Sequence, residues 1–84
     1  MQRIAVIGAI LEKPQIIQQQ FNELVSAHMS IVKGRIGIPF EDDEPAVVSI
    51  IVKGGINEIN ALTGKLGNLA HVTVKTAISS RNIE

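Results

Sequence analysis

The chain has 84 residues, eight Lys and Arg against eight Asp and Glu, no cysteine, and 45% hydrophobic residues of which only Phe21 and Phe40 are aromatic. That length is one domain, so residues 1–84 are expected to form a single unit, and a unit this small buries only about 60% of its unfolded surface. The missing cysteines exclude disulfides, iron–sulfur clusters and thiolate metal sites, and the balanced charge leaves no net field to draw nucleic acid or an acidic membrane.

Met1-Gln2-Arg3 precedes an apolar run, Ile4 to Leu11, that is shorter than a secretory signal core and has no small-residue cleavage site. No run is long enough to span a bilayer. A soluble, cytoplasmic protein is expected. The run Ile4–Leu11 is apolar at every position and is read as the first strand. Pro14 follows and marks a helix start, after which Ile16, Ile17, Phe21, Leu24, Val25 and His28 recur on one side at helical spacing. Gln18, Gln19, Asn22 and Glu23 take the solvated side.

A second strand is expected over Ile31–Ile38, with Lys33 and Arg35 alternating against apolar neighbours. Pro39-Phe40-Glu41-Asp42-Asp43-Glu44-Pro45 is a hairpin turn, since its prolines block strand pairing and its four acids resist burial. Ala46–Val52 is the third strand, again apolar on almost every residue, and Lys53-Gly54-Gly55 breaks it. A second helix begins near Ile56 with Ile59, Leu62, Leu66 and Leu69 inward, Lys65 at the negative end of the helix dipole, and Gly67 as a left-handed cap. The fourth strand, His71–Ile78, alternates, and a polar tail runs from Ser79 to Glu84.

Strand, helix, strand, strand, helix, strand is two split βαβ units, which right-handed crossovers fold into an α+β, ferredoxin-like βαββαβ sandwich. It is a four-stranded antiparallel sheet with two helices on one face. Strands one and three are then central, which suits their apolar character on both sides, because side chains alternate between faces. Two helices cover one face only. The other should carry an aliphatic stripe with Lys33, Arg35, Thr73 and Lys75 at its margins, the pattern of an interaction surface. A second copy of the chain is the expected cover, as a dimer or tetramer. Ile7, Val47, Ser49 and Ile51 are assigned to that interface, with Val48, Ile50 and Val52 under the helices because Ser49 is tolerated more readily at an interface.

Residues that could carry chemistry are few. His28 and His71 sit at element ends without convergent partners, and Glu41–Glu44 lack the spacing of a calcium loop, so no metal site is expected. The serines have no base at a telling spacing, and no catalytic residue is assigned. Thr63-Gly64-Lys65 has the wrong order and length for a phosphate loop. Dispersed basic residues without an aromatic platform argue against single-stranded nucleic acid, and with no helix-turn-helix pattern, zinc finger or basic arm no direct nucleic-acid binding is expected.

Gly34-Arg35-Ile36-Gly37-Ile38-Pro39 and Ala61-Leu62-Thr63-Gly64-Lys65-Leu66-Gly67, followed by Val72-Thr73-Val74-Lys75-Thr76-Ala77 and preceded by Arg3-Ile4-Ala5-Val6-Ile7-Gly8, resemble the small iron-only ([FeFe]) hydrogenase system regulators. The motif positions are Gly34, Arg35, Gly37, Pro39, Leu62, Thr63, Gly64, Lys65 and Gly67. The resemblance implies an oligomeric domain similar in fold to ACT-like domains and to the C-terminal domain of the nickel-responsive repressor. Nickel sensing and DNA binding are not expected to carry over from that repressor, since Ile38–Val52 holds no His, the chain has no Cys, and no separate DNA-binding domain is expected before the first strand. Leu11-Glu12-Lys13-Pro14 also lacks the glycine of an ACT-type ligand loop.

The function expected is a non-catalytic regulator of transcription or maturation, without cofactor, acting as a homo-oligomer that binds a small effector or a protein partner. Candidate effector contacts are Glu12, Lys13, Arg35 and Lys75, chosen for charge at the edge of an apolar face. The alternative is a structural, partner-docking oligomer with no effector.

Overall fold

In a computed structural model, described over residues 1–83, the first strand β1 (Arg3–Leu11) passes into helix α1 (Pro14–Ala27) through a tight two-residue link. Strands β2 (Val32–Ile38) and β3 (Ala46–Gly54) form a hairpin, and helix α2 (Ile56–Gly67) leads to β4 (Val72–Ile78). The sheet order is β2-β3-β1-β4 with every pair antiparallel, the ferredoxin-like topology. The two runs that are apolar throughout are its central strands, as expected.

The core lies between one sheet face and the helices. β1 gives it Ala5, Ile7, Ala9 and Leu11, β3 gives Val48, Ile50 and Val52, and the helices insert Ile17, Phe21, Val25, Ile59, Leu62 and Leu66. The expected inward set of β3 is therefore the observed one. Ile16, expected on the inner side of α1, is instead 64% exposed, because at 100° per residue the stripe centred on Ile17, Phe21 and Val25 leaves position 16 at its solvent edge.

Ile7 is corrected. It pairs with Ile50 and is fully buried under the helices, whereas its neighbour Val6 pairs with Ile51 and is 43% exposed. Successive side chains on a strand take opposite faces, so Ile7 and Ile51 cannot share an interface. The β1 residues that share a face with Val47, Ser49 and Ile51 are Ile4, Val6, Gly8 and Ile10.

Arg35 also changes sides. A register shift between Val32 and Gly34 makes a β-bulge at Lys33, after which Arg35 pairs with Ile50 and Ile36 with Ser49. An extra residue in one strand reverses the facing of everything beyond it. Arg35 and Gly37 consequently lie on the helix side, and Ile36 and Ile38 on the open side.

β3 runs two residues beyond the expected Val52. The Lys53 N–H donates to the Ile31 carbonyl at 2.9 Å, and at Gly54 a Cβ would stand 2.6 Å from Ile31 Cγ2, so only glycine admits that buried isoleucine. The Glu58 carboxylate accepts from the Gly55 N–H at 2.9 Å and secures the start of α2. Gly67 is not a left-handed cap: no glycine has positive φ, the helix includes Gly67, and Asn68 stays right-handed (φ −86°, ψ −8°), donating to Gly64 O at 3.1 Å. The left-handed residue between α2 and β4 is His71 (φ 65°), whose carbonyl accepts the Glu12 N–H at 2.7 Å and ties the start of β4 to the end of β1. The polar tail turns back on β1, with Ser79 N–H donating to Ile4 O at 2.9 Å and Arg3 Nε to Asn82 Oδ1 at 3.1 Å.

Candidate functional site

The sheet face away from the helices is a continuous aliphatic surface. β1 presents Ile4, Val6 and Ile10 on it, β3 presents Val47 and Ile51, and β2 presents Ile36 (63% exposed) and Ile38. Four strands about 4.8 Å apart and 7–9 residues long span roughly 19 by 25 Å, or about 500 Å², at the upper end of what a monomer ordinarily leaves exposed. Lys75 and Thr73 of β4 and Ser49 and Lys53 of β3 are polar members of it. Gly8 lies between Val6 and Ile10 and opposite Lys75, a dip in the middle of the face.

A second feature lies at the far end of the hairpin. A half-open pocket of about 360 Å³ is bounded by the first turns of α1, by β2 and by the acidic turn. Leu11, Ala46 and Val48 form its apolar floor. Gln15 and Gln18 stand on one wall, and Arg35 and Gly37 on the other. Arg35 is held in place: its guanidinium donates to Asn22 Oδ1 and its Cζ lies 5.6 Å from the centroid of the Phe21 ring. Gly37 faces the same space, and a Cβ there would meet nothing nearer than Val48 Cγ2 at 4.0 Å. Glu41, Asp42 and Glu44, all exposed, also line it.

The four charged residues chosen from sequence do not converge. Glu12 and Lys13 are in the β1–α1 link, Lys75 is on the open face of edge strand β4, and Arg35 is on the helix side of the opposite edge strand, β2. Of the four, only Arg35 lines the pocket. The motif glycines divide in the same way. Gly37 shapes the pocket with Arg35 and Pro39, while Gly64 and Gly67 lie on α2 with nothing within 4 Å of a would-be Cβ. Leu62 is core, and Thr63 Oγ1 donates to the Asn60 carbonyl at 3.2 Å.

Among the described residues no group of three or more His, Asp or Glu is placed to hold a metal ion. His28 is occupied at its Nδ1 by the Leu24 carbonyl at 3.0 Å. No helix of the described residues is long and apolar enough to cross a membrane.

Among solved structures the chain is similar to the uncharacterized protein TM1266 from Thermotoga maritima, at 28% identity and a TM-score of 0.87 over 93% of this chain and 98% of that one. It also overlaps LarC2, the C-terminal domain of a cyclometallase involved in the synthesis of the NPN cofactor of lactate racemase, at 19% identity and a TM-score of 0.47 over 95% and 58% of the two chains. None of the curated proteins compared with it matches. A family model described as "TM1266-like: Iron-only hydrogenase system regulator, putative" matches residues 3–76, so the chain belongs to the TM1266-like family.

Proposed function

We propose that the chain is a cytoplasmic, non-catalytic regulatory domain of an iron-only hydrogenase system that works as a homo-oligomer and binds a small effector or a protein partner. The family description supplies the system. The observation that carries the assembly is the open sheet face, where Ile4, Val6, Ile10, Ile36, Ile38 and Val47 stand exposed beside one another. Covering these side chains with the same face of a second copy would take a contiguous aliphatic surface out of water, which is the driving force of association. The charges on this face are lysines, whereas the acids are concentrated in the Glu41–Glu44 turn, so like copies can meet without an acid buried in the contact.

Removal of the gene from its native host tests the regulatory reading. Hydrogenase activity or transcript level should change, and should return with the wild-type gene but not with a Val6→Lys copy that folds and fails to assemble. Unchanged hydrogenase activity and transcript under inducing conditions would overturn it.

A further inference from the structure

We infer that the pocket between α1 and the β2–β3 hairpin binds a small monocarboxylate with an apolar body, anchored by Arg35. This rests on the regulatory reading only in giving the effector a place and a chemistry. A guanidinium offers a planar fork of donors suited to a carboxylate. Here one edge is spent on Asn22 Oδ1 and one face on Phe21, which fixes the plane of the group at the pocket wall. A donor fixed before binding loses little rotamer entropy when it binds.

The rest of the pocket selects the body and limits the charge. Leu11, Ala46 and Val48 offer it only aliphatic surface. The side chain missing at Gly37 leaves the space open, since a residue there would project over Val48 on the helix side of β2. Glu41, Asp42 and Glu44 also line the pocket and repel every anion in proportion to its charge, so phosphates are disfavoured most and a monocarboxylate has to be held by Arg35 against them. The bulge at Lys33 is what makes this possible: without it Arg35 would face the open side of the sheet. Ile38 and Val47 belong both to the pocket lining and to the open face, so an occupant would touch residues of the assembly surface.

The test is a titration of isotope-labelled full chain with hexanoate, followed by amide chemical shifts and calorimetry, beside hexanol, hexylamine and inorganic phosphate. Hexanoate should bind and shift the amides of Gly37, Gln18 and Glu44, and hexanol should bind at least tenfold more weakly. Arg35→Gln and Gly37→Leu, checked for folding by circular dichroism, should each weaken hexanoate at least tenfold. Absence of hexanoate binding, shifts mapped elsewhere, equal binding by hexanol, or undiminished binding to Arg35→Gln overturns the proposal. Preference for hexylamine would give the pocket to the acidic turn, and equal binding of phosphate would remove the role of the apolar floor; either also overturns it. Light scattering on the same samples separates this outcome from failure of the oligomer reading.

Discussion

Ile7 and Val6 are adjacent in sequence and should behave as residues of two different molecules. Ile7→Ala removes a side chain that is fully buried against Ile50 and the helices. Three methylene-sized groups at about 0.8 kcal/mol each give about 2.4 kcal/mol of lost transfer free energy. The cavity left behind raises the expected cost into the range of about 2–5 kcal/mol. A chain of 84 residues has a total stability of roughly 4–13 kcal/mol at 0.05–0.15 kcal/mol per residue, so the loss is a large share of it. The melting temperature should fall by about 10 °C or more. Val6→Ala, on the 43% exposed neighbour, should cost the isolated fold under about 1 kcal/mol. Its effect should instead appear as weaker assembly. Urea unfolding followed by circular dichroism at two protein concentrations separates these cases. Ile7→Ala should lower the midpoint at both concentrations, whereas Val6→Ala should lower it mainly at the higher one, where association stabilises the wild type. Equal costs at low concentration, or a larger cost for Val6→Ala, would refute the assignment of faces.

Gly54→Ala should destabilise by about 1–3 kcal/mol, because its Cβ would lie 2.6 Å from Ile31 Cγ2; a neutral result in thermal melts would show that Ile31 can move aside. Gly64→Ala should stabilise by about 0.5–1 kcal/mol, since nothing lies within 4 Å of the new methyl and alanine suits a helix; a loss of stability would mean that this face of α2 is covered in the assembly. Deleting Lys33 should remove the bulge and let Val32, Gly34 and Arg35 pair in unbroken register with Val52, Ile51 and Ile50, so Arg35 should stay on the helix side and the aromatic signals from Phe21 should be kept; altered Phe21 signals would show that the strand slips beyond Gly34 instead.

Strand order was legible because the feature that sets it is written in composition. A run such as Ala46–Val52 with hardly a polar residue has to be central, and α1 and α2 carry inward residues at helical spacing. Which face of β1 meets the helices was not legible, since Ile4, Val6 and Ile10 are as apolar as Ile7 and Leu11. The choice is made by register with β3, where Ser49 did point to the open side, and β1 follows by pairing Ile7 with Ile50. The bulge at Lys33 leaves no mark in the alternation of Val32-Lys33-Gly34-Arg35, so Arg35 was placed on the wrong side. Gly34 beside it was the available signal, since glycine within a strand often accompanies a bulge. The pocket was illegible for a related reason: its walls come from residues distant in sequence, Gln18 and Arg35 among them, that only the folded hairpin brings to α1.

Self-association through the open sheet face is tested most directly by multi-angle light scattering of the wild-type chain and of Val6→Lys at micromolar concentration. The wild type should elute as a multiple of 9.0 kDa, and Val6→Lys, with its helical and strand signals intact, should move to the single-chain mass. A wild-type chain found only at 9.0 kDa, or a Val6→Lys chain that assembles as the wild type does, would contradict it.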